Sequence, residues 1–378
     1  MSTLITGTVA TGFEPVRDVF EENFRSRGEV GAGIAVMVGD ELVVDLHGGV
    51  VAPGGEPYGP STLQMVASCT KGAMAILVLR LVDQGLVDLD APMAVYWPEF
   101  GAAGKESVTV REALAHRAGV PFLDAGLTLD DIVGWDPAVE KLAAQAPAWE
   151  PGTDHGYHAI THAWLVGELI RRVTGMTPGA FLRQEITEPL GLDLWVGLPP
   201  AEHSRVAPLI LPIPAEVPDE FTVRLMTPGS TTFRGFFAGD GLFGWFNLPE
   251  LWEAEVPAGN GMGTAVALAR MYAACLTEVD GVNLVSPEVL ADAVRTQSKG
   301  PDRVLGFDSH FGTGFMLTSE YRPMSGEGAF GHYGLGGSVG FADLSRGFSL
   351  GYTVNQMGPS VPADPRSVAL IEAVLACV

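Results

Sequence analysis

The chain has 378 residues, 47% hydrophobic and 18% charged, with 45 acids against 22 bases and a formal charge of -23. So apolar and sparsely charged a composition excludes intrinsic disorder and supplies a sizeable core. The acidic balance disfavours nucleic acid and anionic membrane as partners, because both need basic patches.

The length predicts two domains, or one large domain with an insertion. The N-terminal MSTLITGTVATGFEPVRDVF lacks the basic start and apolar stretch of a secretory signal. No apolar run is long enough to span a bilayer, so no transmembrane helix is expected. Cys69, Cys275 and Cys377 show neither a disulfide framework nor metal spacing. A cytoplasmic chain with reduced thiols, no metal and no cofactor is the expectation. Homo-oligomerisation is compatible with the sequence.

Residues 15–27 read as an amphipathic helix. GIAVMVGDELVVDLHGGV (33–50) alternates about a Gly-Asp turn and reads as a β-hairpin. SCTKGAMAILVLRLVDQG (68–85) predicts a helix ending near Gly85. Its run GAMAILVLRLV is apolar on nearly all faces, so the helix is buried. From 86 to 200 the signals are mostly helical. TVREALAHRAG (109–119) opens with a capping box, Thr109 and Glu112. AITHAWLVGELIRRVTG (159–175) and TPGAFLRQEI (177–186) follow. Residues 205–260, rich in Pro, Gly and aromatics, read as a long irregular segment of the kind that forms lids and binding loops. GTAVALARMYAACL (263–276) is a helix, 311–356 three antiparallel strands, and PRSVALIEAVLAC (365–377) a closing helix. Strands at both ends with helices between predict an α/β domain of residues 1–85 and 255–378, and a mostly helical insertion over 86–254.

Chemistry concentrates at Ser68 and Lys71. Positions i and i+3 share one helix face, so the hydroxyl and the amine point the same way. A serine is a weak nucleophile until a neighbour removes its proton. A lysine does this only when burial or another cation lowers its pKa. The bland alternative makes Ser68 an N-cap and Lys71 a solvated charge. The all-round apolar run behind Lys71 argues against solvation.

VASCTKGAMAILVLRLVDQGLVDLDAPMAVYWPEF (66–100) resembles the active-site segment of the serine β-lactamase-like superfamily, and within it the class C β-lactamase-related carboxylesterases, or family VIII esterases. LAHRAGV (114–120), EPGTDHGYHAITHAWLVGELIRRVTG (150–175) and GHYGLGGSVGFAD (331–343) resemble further family motifs in order. The resemblance implies a β-lactamase/transpeptidase-like fold, an antiparallel sheet flanked by helices plus a helical insertion. It implies Ser68 as nucleophile, with Lys71 and Tyr157 as proton-transfer partners. His332 and Gly334 fall on the third motif. The oxyanion would lie between the N–H groups of Ser68 and Leu335, with Gly336 the adjoining register. A nearby cation such as Lys71 would favour a Tyr157 phenolate.

Two departures bear on substrate. Ala159 stands where the family has an asparagine that holds a substrate amide. His332 stands where a lysine would attract a substrate carboxylate, and a histidine is mostly uncharged at neutral pH. Both weaken the case for β-lactams and D-alanyl peptides. A serine carboxylesterase acting on small, short-acyl esters is the leading expectation. β-Lactamase, D-amino-acid amidase or peptidase, and acyltransferase activities are the alternatives, and a non-catalytic binder is the alternative outside enzymes.

Other features carry less. Gly336-Gly337-Ser338-Val339-Gly340 matches the α/β-hydrolase elbow, but no histidine follows to complete Ser, acid, His in order. His158 and His162, at i and i+4, lack a third ligand. His116 and Cys69 read as packing residues. Phe233, Phe236, Phe237, Phe243, Trp245 and Phe246 line an acyl pocket or form an ordinary loop core.

Overall fold

The computed structural model describes residues 4–213, 217–236, 242–358 and 363–378, with the backbone alone at 242 and 243. Its thirteen strands among these residues are β1 Ile5–Val9, β2 Gly31–Val38, β3 Glu41–Gly49, β4 Leu63–Met65, β5 Leu194–Trp195, β6 Val206–Ala207, β7 Met262–Gly263, β8 Ser298–Pro301, β9 Asp308–Phe311, β10 Met316–Leu317, β11 Ala329–Tyr333, β12 Val339–Asp343 and β13 Phe348–Val354. Nine form one antiparallel sheet in the order β1-β3-β2-β13-β12-β11-β10-β9-β8, so both ends of the chain meet at β2–β13. The other four form a small sheet, β5-β7-β4-β6.

The central strands are apolar throughout because both faces are covered. In β2, Ile34 and Val36 join one core and Ala35 and Met37 the other, as a two-residue period requires. Helices α1 (Glu14–Ser26) and α5 (Pro365–Leu375) pack on the first face. Helices α2 (Thr70–Asp83) and α4 (Ala265–Leu276) belong to the core on the second, which runs on into the helical region around α3 (His162–Thr174). Residues Thr70 to Leu79 and Leu81 of α2 are buried, as its composition requires. The Gly39-Asp40 turn closes the β2–β3 hairpin, Gly39 taking a φ of +59°. The capping box at Thr109 and Glu112 is present. No helix among the described residues is long and apolar enough to cross a membrane.

Several elements differ from the sequence reading. β1 is an edge strand with an exposed middle, so it carries no alternating signal. Residues 298–354 hold six strands, where three were expected over 311–356, because the extra ones are short or polar, SKGP among them. The helix at 109 stops at Leu114, since His116 takes a φ of +62°. The segment 205–260 contains short helices, Glu220–Leu225, Thr231–Phe236 and Pro249–Glu253 among them.

Gly351 of β13 shows how closely α4 seats. A Cβ there would lie 2.1 Å from the Ala265 carbonyl oxygen. Gly351→Ala is therefore expected to cost about 1–3 kcal/mol by overpacking, read as a lowered midpoint in denaturant unfolding. An unchanged midpoint would show that α4 can withdraw freely.

Candidate active site

Ser68 is not a helix N-cap. It lies in a 3₁₀ turn, Ala67–Cys69, that feeds α2, and α2 has no side-chain cap. Ala67 holds a φ of +47°, uncommon for a residue with a side chain. Thr70 Oγ1 donates to the Ala67 carbonyl at 2.6 Å and accepts from the Gly261 N–H, pinning that bend.

Lys71 is fully buried. Its Nζ donates to the carbonyls of Ala159 at 2.8 Å and Ala258 at 2.7 Å, and lies 3.2 Å from Ser68 Oγ. Ala159 therefore holds the lysine through its backbone, though its side chain offers no hydrogen bond. No carboxylate among the described residues pairs with the amine, and burial drives its pKa well below the ordinary 10.5.

Tyr157 comes to the same place from the loop before α3. Its ring centroid is 4.8 Å from Lys71 Nζ and stacks on Phe311 at 5.9 Å. Its N–H donates to buried Asp302 Oδ1 at 3.0 Å, a carboxylate that also accepts from Val304, Leu305 and Ser309. The phenol oxygen is buried and makes no hydrogen bond within geometric limits, yet it faces Ser68 closely enough for the serine to lower its pKa. Burial outweighs this and pushes the phenol up. The phenolate expected beside a lysine cation is thus disfavoured, because burial acts against charge on both groups.

His332 lies with its ring 6.0 Å from that of Tyr157. Its Nδ1 bonds the Tyr333 carbonyl at 2.7 Å, and burial holds it well below its ordinary pKa, hence neutral. Gly334 packs against the turn that carries Ser68, where a Cβ would fall 2.4 Å from the Val66 carbonyl oxygen. Cys69 Sγ donates to the His332 carbonyl at 3.3 Å and its thiol is pushed up to about 12 by burial, so it ties the 3₁₀ turn to β11. Leu335 lines the Ser68 cleft, while Gly336 (φ +95°) turns against Met357. The backbone N–H groups of Ser68 and Leu335 bond no acceptor among the described residues. Arg366 steadies the turn from behind. It donates to the Gly336 carbonyl at 3.2 Å and pairs with Asp364 and Glu29, the latter pushed up to about 7 by burial.

The cleft over Ser68 is apolar and leaves about 50 Å³ of space. Ile132, Ile160, Phe236, Phe246 and Leu251 line it. Of the other aromatics singled out, Trp245 packs against the core, Phe233 does not line the cleft, and Phe237 and the Phe243 side chain lie outside the described residues. Ser338 is buried at the end of the β11–β12 turn, its Oγ accepting from the Val354 N–H, which is a packing role. His158 is satisfied at both ring nitrogens, by Gly156 and Val120, and precedes α3 instead of sharing it with His162. No cluster of metal ligands occurs among the described residues. Sequence reasoning missed Asp302, which carried no signal.

A serine in a positive-φ turn with a buried amine against it, beside an antiparallel sheet and a helical region, has the make-up of a serine hydrolase, and the relatives bear out that class. The chain belongs to the beta-lactamase family, whose model matches residues 16–374. It is 36% identical over 370 residues to the esterase/beta-lactamase LipL of Mycobacterium tuberculosis, covering 95% of this chain and 85% of LipL. The crystal structure of a family VIII carboxylesterase matches with TM-score 0.90 and 35% identity, over 99% of this chain and all of the other. A penicillin-binding protein homologue from Caulobacter crescentus matches with TM-score 0.88 and 40% identity over the same shares.

Gly334→Ala should push β11 off the 3₁₀ turn. We expect hydrolytic kcat/KM to fall about 10²-fold while circular dichroism stays near wild type. Full turnover would mean that the Leu335 amide tolerates displacement.

Proposed function

We propose that this protein is a carboxylesterase for small, uncharged, short-acyl esters, acting through an acyl-enzyme on Ser68. One observation carries the reading. Lys71 Nζ is anchored on the Ala159 and Ala258 carbonyls and lies 3.2 Å from Ser68 Oγ, so that as the free amine it would turn its lone pair to the serine proton.

The chemistry follows from that. The ester carbonyl oxygen takes the N–H groups of Ser68 and Leu335, where donors already in place stabilise charge as it develops. Ser68 Oγ attacks the carbonyl carbon and its proton passes to Lys71 Nζ. The tetrahedral adduct collapses, breaking the bond to the alcohol oxygen. Tyr157 gives its phenolic proton to that oxygen and regains one from Lys71. Water then attacks the acyl-enzyme, its proton returns to Ser68 Oγ by the same groups, and the carboxylic acid leaves.

Ester preference is supported by what the cleft lacks. Ala159 offers no side-chain amide and His332 no charge, so a β-lactam carboxylate and side chain lose two partners. The apolar lining and small free volume favour acetyl or butyryl over octanoyl groups.

p-Nitrophenyl acetate and butyrate should be turned over faster than the octanoate, with little nitrocefin cleavage. Ser68→Ala should abolish turnover, and Lys71→Met and Tyr157→Phe should each lose about 10²–10⁴-fold. Nitrocefin cleavage rivalling that of the esters would overturn the substrate class, and an active Ser68→Ala the mechanism.

The pH profile has a fixed sign. Lys71 works as the free amine, so kcat/KM falls on acidification as the amine takes up a proton. Because its pKa is lowered, the midpoint should lie well below 10.5. A midpoint near that ordinary value would show Lys71 solvated.

A further inference from the structure

The cleft over Ser68 holds about 50 Å³, and a cavity of about 520 Å³ opens to solvent beside it. Among the described residues, Ile132 alone lines both. The chain from 250 to 256 is divided between them. Leu251 and Val256 line the cleft, whereas Glu250, Glu253, Ala254 and Glu255 line the larger cavity. The two spaces are therefore back to back, with one side chain common to them.

Ile132 is the buried residue of the short helix Leu129–Gly134 and is only 1% exposed. Its neighbour Val133 is exposed on the larger cavity. The helix is fixed at both ends. At its start Thr128 and Asp131 form a capping box, and Lys141 Nζ donates to Asp131 Oδ2 at 2.7 Å. At its end Trp135 takes a φ of +59°, uncommon for so bulky a residue. The Trp135 indole N–H donates to Oε2 of buried Glu168 at 2.9 Å. A helix so anchored holds Ile132 in place between the two spaces.

The proton transfers decide which end of the ester meets this wall. In the proposed reaction the departing alcohol lies at Tyr157, and Tyr157 does not line the cleft. The cleft is left for the acyl chain.

We propose that Ile132 sets the acyl-chain limit, closing the cleft behind a short chain, and that the cavity beyond it is a latent subsite for the end of a longer, uncharged acyl chain. The inference rests on the esterase reading and deepens it. Val133, Pro178 and Ala254 offer such a chain apolar contact in that cavity. Truncating Ile132 removes the wall without touching Ser68, Lys71 or Tyr157.

The test compares kcat/KM for p-nitrophenyl butyrate and octanoate in wild type, Ile132→Ala, Ile132→Phe and Leu251→Ala. The leaving group is constant, so only the acyl chain varies. Each methylene taken out of water is worth about fourfold. The octanoate-to-butyrate ratio of Ile132→Ala should therefore rise at least about tenfold over wild type. Ile132→Phe should lower it. Leu251→Ala removes an equal volume but lines the cleft alone, so its ratio should rise clearly less. A purely structural role for Ile132 would lower both esters alike, and that flat ratio overturns the inference. So does an equal rise in Leu251→Ala, which would mean general widening. A gain confined to octyl butyrate over ethyl butyrate would put the wall on the alcohol side and overturn it too. Should Ile132→Ala fail to fold, Ile132→Val should move the ratio the same way by a smaller factor. Wild-type protein that cleaves neither ester sinks the esterase reading and the inference with it, whereas a flat ratio sinks the inference alone.

Discussion

A primary amine buried without a counter-ion is the constraint from which the rest of the site follows. An ammonium at Lys71 would give up its hydration for two carbonyls and a hydroxyl, a poor exchange in a dry interior. Burial therefore favours the free amine, and the surroundings impose that burial. Those surroundings are α2, buried on every side, and the loops that carry Ala159 and Ala258. This is why the run after Lys71 has no polar face. The sheet covers the helix on one flank and the helical region covers it on the other. The reactivity of one nitrogen thus depends on packing that spans the chain.

Burial acts on every titratable group there in the same sense, against charge. It lowers Lys71 and His332 and raises Tyr157 and Cys69. Burial thus disfavours charge throughout the site. In the reaction proposed, the N–H groups of Ser68 and Leu335 would stabilise developing charge as fixed dipoles, which need no reorganisation. Their placement depends on Ala67 in its strained bend and on Gly334, whose missing Cβ lets β11 approach the Val66 carbonyl.

What could be read from sequence follows the range of the interaction. Ser68 and Lys71 were legible because their spacing is local and the apolar run behind them is continuous. The hairpin at β2–β3 and the capping box at Thr109 are local for the same reason. Tyr157 was visible only through resemblance, since 86 residues separate it from Lys71 and nothing in its own neighbourhood distinguishes it from a packed aromatic. Asp302 was invisible, since it accepts from the Tyr157 N–H across more than a hundred residues of chain. The phenolate expectation failed for a related reason. Reference pKa values describe a group in water, and whether water is present is settled by tertiary packing.

The glycine-rich turn after β11 makes the same point from the opposite side. Gly336 and Gly337 adopt φ values of +95° and +119°, and a Cβ on Gly337 would lie 2.7 Å from an Asp364 carboxylate oxygen. Glycine is needed there because Arg366 and Asp364 press in behind the chain, and Arg366 holds the Gly336 carbonyl. A nucleophile elbow needs glycine for the same two causes, a sharp turn and a close approach. The string Gly-x-Ser-x-Gly therefore reports backbone crowding, which both architectures share. What separates them is the hydroxyl: Ser338 is buried and accepts from the Val354 amide, while Ser68 lines an open cleft with an amine at its back.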